Sequence, residues 1–276
     1  MKIVHRISIN STPDIQRELA AMSVFVGKGD PVTSGLVAFD VDESHAAWPR
    51  LKEWIERRNA LDVVSTKFSA AEIGKARWLE LEAEWHHGYP QPNELEFGYR
   101  AVTYDLTDYC EGCGIGLRQK APFRMKSEPK WGRRGILQLN WVFDEYFVTP
   151  EVWAGVFKPY GVAKREVLGT GGAELKTVVQ LVVGQEIDIV TQGLLSENCA
   201  ACDRVKYAPV ARGYFPALVS EPQGHMVKTR QYFGSGASAN HCVLISQDLA
   251  SALASENVRG ASVRPVAERS RQQAGP

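Results

Sequence analysis

Much that would place a chain quickly is missing here. No apolar run approaches the roughly 20 residues that a membrane-spanning helix needs. The longest, such as Val178–Val183, is broken by Gln180. Charge of one sign is missing too: 32 Lys and Arg stand against 32 Asp and Glu, so any attraction to a polyanion has to be local. Ser8, Asn10, Ser11 and Thr12 follow the start before an apolar leader core could form, so export by that route is not expected. There is no Ser-His-Asp arrangement, no His-Glu-x-x-His helix and no dinucleotide fingerprint. Hydrolytic and cofactor-dependent chemistry therefore start without motif support.

Cysteine is scarce, at five residues, yet four of the five fall into two close pairs, Cys110/Cys113 and Cys199/Cys202. A Cys-x-x-Cys turn aims both sulfurs at one centre, and two such turns complete a tetrahedron suited to Zn²⁺. Four thiolates close the coordination shell, which makes the expected zinc structural, because a hydrolytic zinc keeps a position open for water. Gly112 and Gly114 allow the first turn to curl. The second has Asp203 in the place of a glycine and accommodates the same turn less easily. A disulfide framework, a redox pair and unliganded thiols are the competing readings. A thioredoxin-type pair needs a helix start that Gly112 and Gly114 disfavour, and free paired thiols fit a reducing, cytoplasmic compartment.

Periodicity predicts an α+β fold of mixed sheets and short helices around a zinc-ribbon-like double knuckle. Residues 3–9 alternate as a strand, and Thr12-Pro13 caps a helix with Ile15, Leu19 and Met22 on its buried stripe. A strand follows at 36–41, then a helix capped by Ser44 and running through Leu51, Trp54 and Ile55 to Arg58. Val63–Phe68 reads as a strand, Ser69 caps a short helix, and Ile136–Phe143 reads as one buried strand. Two later stretches share a plan of strand, capped helix and strand. One turns at Thr149-Pro150 with Val152, Val156 and Phe157; the other turns at Ser246 with Leu249 and Leu253, stops at Gly260 and returns at Val263–Val266. The domain boundaries expected are 1–100, 101–266 and a disordered tail at 267–276.

Residues 118–134 hold seven basic side chains against the single acid Glu128. Lys120, Arg124, Lys126, Lys130, Arg133 and Arg134 interleaved with Phe123 and Trp131 are what phosphate contact and base stacking require, although the same charges also solvate a hairpin. His86-His87, in a loop with two prolines, invites a ligand role and equally a packing one, since neighbours in an extended chain point apart. Gly234–Ser238 could cradle an anion but lacks a phosphate-loop pattern, so a plain connection is the expectation. Glu174 and Lys176 with Asp144 could form a magnesium nuclease site. His241-Cys242 reads as an inert buried thiol beside a histidine.

The knuckles at Cys110–Gly114 and Cys199–Cys202, with the closing unit Val243–Val266, resemble the double-CxxCG motif family of myxobacteria, some of whose members are immunity proteins. In that family each knuckle ends in glycine, and here Asp203 departs from the pattern; residues 1–100 carry no resemblance. The resemblance implies a cytoplasmic, non-enzymatic binder of a partner protein, a toxin delivered from outside, acting by occlusion. A nucleic-acid-binding zinc-ribbon protein and a metal-dependent nuclease remain the alternatives.

Overall fold

The computed structural model describes residues 1–24, 35–93 and 97–269. Its contacts divide the chain into two units, Met1–Glu72 with Val210–Gly213, and Ile73–Pro209 with Tyr214 onward. The fold class is α+β, as the periodicity predicts.

The first unit runs β1 (Lys2–Asn10), α1 (Pro13–Ala21), β2 (Leu36–Asp42), α2 (Trp48–Arg58), β3 (Leu61–Lys67) and the start of α3 (Ala70–Lys75). The strands form an antiparallel sheet ordered β2-β1-β3. Ile7, Leu19, Leu51 and Trp54 build its core. Thr12 caps α1 by accepting from the Ile15 N–H at 3.3 Å, and Ser69 and Glu72 form a reciprocal box at α3. Ser44 does not cap α2: its N–H and hydroxyl both donate to the Asp42 carboxylate in a turn, and the helix starts four residues later, with Pro49 in its first turn. His5 is buried between two carboxylates, Nδ1 to Asp62 at 2.9 Å and Nε2 to Glu43 at 3.0 Å.

The second unit begins with β4 (Trp78–Ala83), α4 (Tyr99–Thr103), β5 (Tyr104–Asp105), β6 (Arg118–Gln119), β7 (Arg124–Met125), β8 (Ile136–Leu139) and β9 (Val142–Val148). A helical segment follows, α5 (Pro150–Val152), which widens to a π-turn over Trp153–Phe157 and tightens over Lys158–Tyr160. Then come β10 (Ala163–Gly169), β11 (Glu174–Val182), β12 (Glu186–Ile187), β13 (Ser196–Asn198), β14 (Val205–Tyr207), β15 (Met226–Phe233), β16 (Asn240–Ser246), α6 (Gln247–Ser255) and β17 (Ala261–Pro265). One sheet is ordered β7-β10-β11-β9-β8, the other β13-β14-β15-β16-β4-β17 with β12 against β15, and β5 pairs β6.

The repeated plan has a topological counterpart. β9 and β10, joined by α5, flank the antiparallel β11; β16 and β17, joined by α6, flank the antiparallel β4. Thr149 and Ser246 cap the two helices with closely similar backbone angles, accepting from Val152 N–H at 3.2 Å and Leu249 N–H at 3.3 Å. Both units of the plan contribute to one core, with Val148, Phe157 and Leu181 from the first and Leu81, Ile245 and Leu249 from the second.

Three expectations are corrected. The 100/101 boundary falls instead at 72/73, because Trp78–Ala83 pairs on both edges inside the second unit, burying Leu79 and Leu81 completely or nearly so. Ile136–Phe143 is a hairpin, not one strand: Trp141 takes a left-handed φ of 67° and reverses the chain. Helix α6 ends at Ser255, ahead of a left-handed Asn257, while Gly260 lets the backbone pass beside the Ile136 carbonyl, where a Cβ would sit 2.3 Å from that oxygen. Of the expected tail, Ala267 donates to Phe215 O at 2.7 Å and Arg269 to Val219 O at 2.8 Å; residues 270–276 lie outside the described residues.

Candidate metal centre

The first knuckle lies in the loop between β5 and β6, and the second is the turn of the β13–β14 hairpin. Their backbones are wound alike. Gly114 N–H donates to Cys110 O at 2.8 Å and Cys110 N–H to Ile115 O at 2.9 Å; Asp203 N–H donates to Cys199 O at 2.8 Å and Cys199 N–H to Arg204 O at 3.0 Å. The position after the second cysteine is left-handed in both, φ 83° at Gly114 and 58° at Asp203. Asp203 therefore does what the sequence reading reserved for glycine, and Asp is one of the residues that tolerates this region. Gly114 cannot be exchanged in return. A Cβ there would lie 2.4 Å from Ala237 O, because the loop Gly234–Ser238 packs directly on the knuckle.

The four sulfurs converge, all within 4.8 Å of one another. Cys110 Sγ lies 3.8 Å from Cys199 Sγ, and Cys113 Sγ lies 3.7 Å from Cys202 Sγ. All four are free thiols, Cys113 buried and the others half-buried. Such a donor set holds a soft or borderline metal ion, and it is the cluster of this kind found among the described residues.

Second-layer groups favour the ionised sulfurs. Arg204 Nε donates to Cys202 Sγ at 3.3 Å, and this bond, with the Arg204 backbone N–H, draws the Cys202 thiol down to about 6. The Cys113 N–H lowers Cys110. Burial does the opposite to Cys113, pushed up to about 12. A bound cation supplies the charge needed to ionise a thiol so placed. Lys206, on β14 two residues after Arg204, is buried and donates to Cys113 O at 3.2 Å and to Gly236 O, with Glu197 at 3.2 Å. Arg204 and Lys206 escaped the sequence reading. Their signal was the two-residue spacing that puts both on one face of a strand leaving a knuckle. The loop Gly234–Ser238, read as a plain connection, is a wall of this centre.

The other candidates do not converge in this way. Lys120, Lys126, Lys130, Arg133 and Arg134 are exposed and Arg124 is half-buried on β7. Phe123 is wholly buried and offers no face to a base, while the half-buried Trp131 donates to Thr177 O at 2.9 Å and meets Trp85 edge to face. Arg133 and Arg134 line a surface hollow with Arg259 and Glu84. His86 and His87 pack against different rings, Phe143 and Trp85. Glu174 and Lys176 pair with each other at 2.7 Å, and no carboxylate metal cluster forms with Asp144 among the described residues. Cys242 lies beside the Glu80 carboxyl, and desolvation pushes its thiol well above the usual value.

No protein-family model matches the chain, and no curated protein matches it. Among the described residues no helix is long and apolar enough to cross a membrane.

Proposed function

We propose that the chain is a zinc-stabilised binding protein of the immunity type, cytoplasmic, that neutralises a partner protein, a toxin, by occlusion, with zinc on Cys110, Cys113, Cys199 and Cys202 in a purely structural role. The observation that carries the zinc is the spacing of the sulfurs. Four thiolates at about 2.3 Å from one ion form a tetrahedron whose edges are about 3.8 Å, and two of the cross-knuckle separations are 3.8 and 3.7 Å. Zinc with four thiolates carries two negative charges. Arg204, donating to the Cys202 sulfur, offsets part of that charge, while Lys206, paired with Glu197 at 3.2 Å, braces the first knuckle through the Cys113 carbonyl. With the shell filled by protein, the ion has no place for substrate, which supports a binding role over a catalytic one. The immunity assignment rests on the resemblance of the two knuckles. Exposed aromatic side chains suit it, with Tyr89 and Trp141 rings 4.3 Å apart near Phe143, since aromatic anchors dominate protein contacts.

Elemental analysis of the purified protein is expected to give one zinc per chain. Cys110→Ser and Cys199→Ser should each release it and lower Tm alike, because either opens the same tetrahedron, whereas Cys242→Ala and His86→Ala should keep it. A third of the about 10–16 kcal/mol that zinc supplies in small fingers is enough for a fall of roughly 10 °C or more in a unit of this size. Full zinc in Cys199→Ser would remove the shared site. Immunity is tested separately, by growth rescue of cells producing a toxin encoded beside this reading frame; no rescue by soluble, zinc-loaded protein sinks it.

A further inference from the structure

A second cavity, of about 440 Å³, opens between the two sheets of the second unit, and the metal centre holds two of its walls. Leu117–Gln119 follow the first knuckle directly, and Ala239–His241 follow the loop packed on Gly114. Its floor is an interlocked set of polar side chains, Glu145, Gln180 and Lys228 buried and Gln119 half-buried. Gln180 Nε2 donates to Gln119 Oε1 at 2.7 Å and to Glu145 Oε2 at 2.8 Å, Gln119 Nε2 returns a bond to Gln180 Oε1 at 2.8 Å, and Lys228 Nζ donates to Glu145 Oε1 at 2.6 Å. A floor so interlocked is preorganised, and burying it without a use would be costly.

Several groups on the walls are left over. Tyr104 is buried and lines the cavity, yet its hydroxyl has no hydrogen-bond partner among the described residues. Arg165 stands opposite Gln180 in the β10–β11 register, on the same face, and its guanidinium has no ion pair among the described residues. His241 holds the Thr229 carbonyl through Nδ1 at 2.6 Å, which makes Nδ1 the protonated nitrogen and leaves Nε2 as an acceptor. Asp144 is only loosely engaged, 3.4 Å from the His241 N–H and 3.7 Å from Lys228, whose closer partner is Glu145. Arg118 and Glu186 line the cavity too, paired with Asp108 at 2.7 Å and with Arg230 at 3.7 Å; with Lys228 assigned to Glu145, Arg165 and the loosely held Asp144 remain as a positive and a negative group that do not pair with each other.

From this arrangement we propose that the cavity binds a small zwitterion of the amino-acid or dipeptide class, its carboxylate on Arg165, its ammonium on Asp144, and its remaining polar atoms toward Tyr104 Oη and His241 Nε2. A single anion would leave Asp144 facing it unmatched, and a single cation would face Arg165. The cavity has room for an amino acid with a sizeable side chain. This site is independent of the immunity assignment and involves no bond-making step.

Thermal shift and calorimetry on the metal-loaded protein test it, with the twenty free amino acids and a set of alanyl dipeptides as probes at millimolar concentration. At least one probe should raise Tm in proportion to the logarithm of its concentration. Its N-acetyl and its C-amide derivatives should each fail, Arg165→Ala and the isosteric Asp144→Asn should each abolish the response, and Tyr104→Phe should weaken it about tenfold. No shift with any probe overturns the proposal. So does a shift that survives both Arg165→Ala and Asp144→Asn, or one reproduced in full by acetate or inorganic phosphate.

Discussion

Glu80 sits on β4 with Oε2 beyond hydrogen-bond reach of any described donor, and burial raises its carboxyl to about 7 against the opposing pull of Arg264, 3.6 Å away. Unfolded, the same group ionises near 4.5. Between those two values the native chain holds a proton that the unfolded chain has released. Stability contributed by Glu80 therefore falls as pH rises through that window, by order 3 kcal/mol, and stays at the lower level above it. Glu80→Gln, which cannot ionise, should remove this slope: the denaturant midpoints of variant and wild type should lie closest near pH 5 and separate in favour of the variant by pH 8. A constant difference across that range would show that the carboxyl does not titrate as its burial demands. Cys242 beside it belongs to the same desolvated pair, and burial there disfavours its thiolate.

Helices α5 and α6 start on Thr149 and Ser246, and each cap satisfies an N–H that would otherwise be orphaned at a buried helix end. Thr149→Ala and Ser246→Ala should each cost about 1 kcal/mol in urea unfolding. Ser44→Ala should cost less at the start of α2, because Ser44 serves the Asp42 turn instead; equal costs for all three would contradict the assignment. These elements also mark how far the sequence could be read. Local signals carried well: Thr12-Pro13, the Ser69, Thr149 and Ser246 caps and the two cysteine turns act within a few residues of themselves. Ser44 failed because two local bonds compete for one hydroxyl, and nothing in the pattern ranks them. Trp141 was misread since a left-handed aromatic is rare, so an apolar run through it looks like one strand. The place of β4 between β16 and β17 is decided by partners more than 150 residues away, which no window on the sequence contains. At the metal centre the ligands were legible by their spacing, whereas Arg204, Lys206 and the loop over Gly114 depend on how the chain returns to the knuckle.

The second unit is built from two runs of the same plan, each led by a knuckle and closed by a capped helix and a strand. One metal ion shared by the knuckles would tie the two runs at their leading ends, 89 residues apart. Chelation should accordingly speed amide exchange in β6, β14 and the loop over Gly114 while leaving the first unit's β1–β3 exchange unchanged; uniform acceleration across both units would argue that the metal supports the whole chain. The sulfurs also have an order that the tetrahedron conceals. Cys110 faces Cys199 and Cys113 faces Cys202, one from each run. Once metal is withdrawn and a thiol oxidant such as diamide is added, disulfides should form across the runs, 110 to 199 and 113 to 202, and peptide mapping without reduction should find these instead of 110–113 and 199–202. The first such link would restrain the unfolded chain by about 4–5 kcal/mol and the second, which closes only the short loops 110–113 and 199–202, by less, so oxidation would preserve by loop closure the tie that coordination would make.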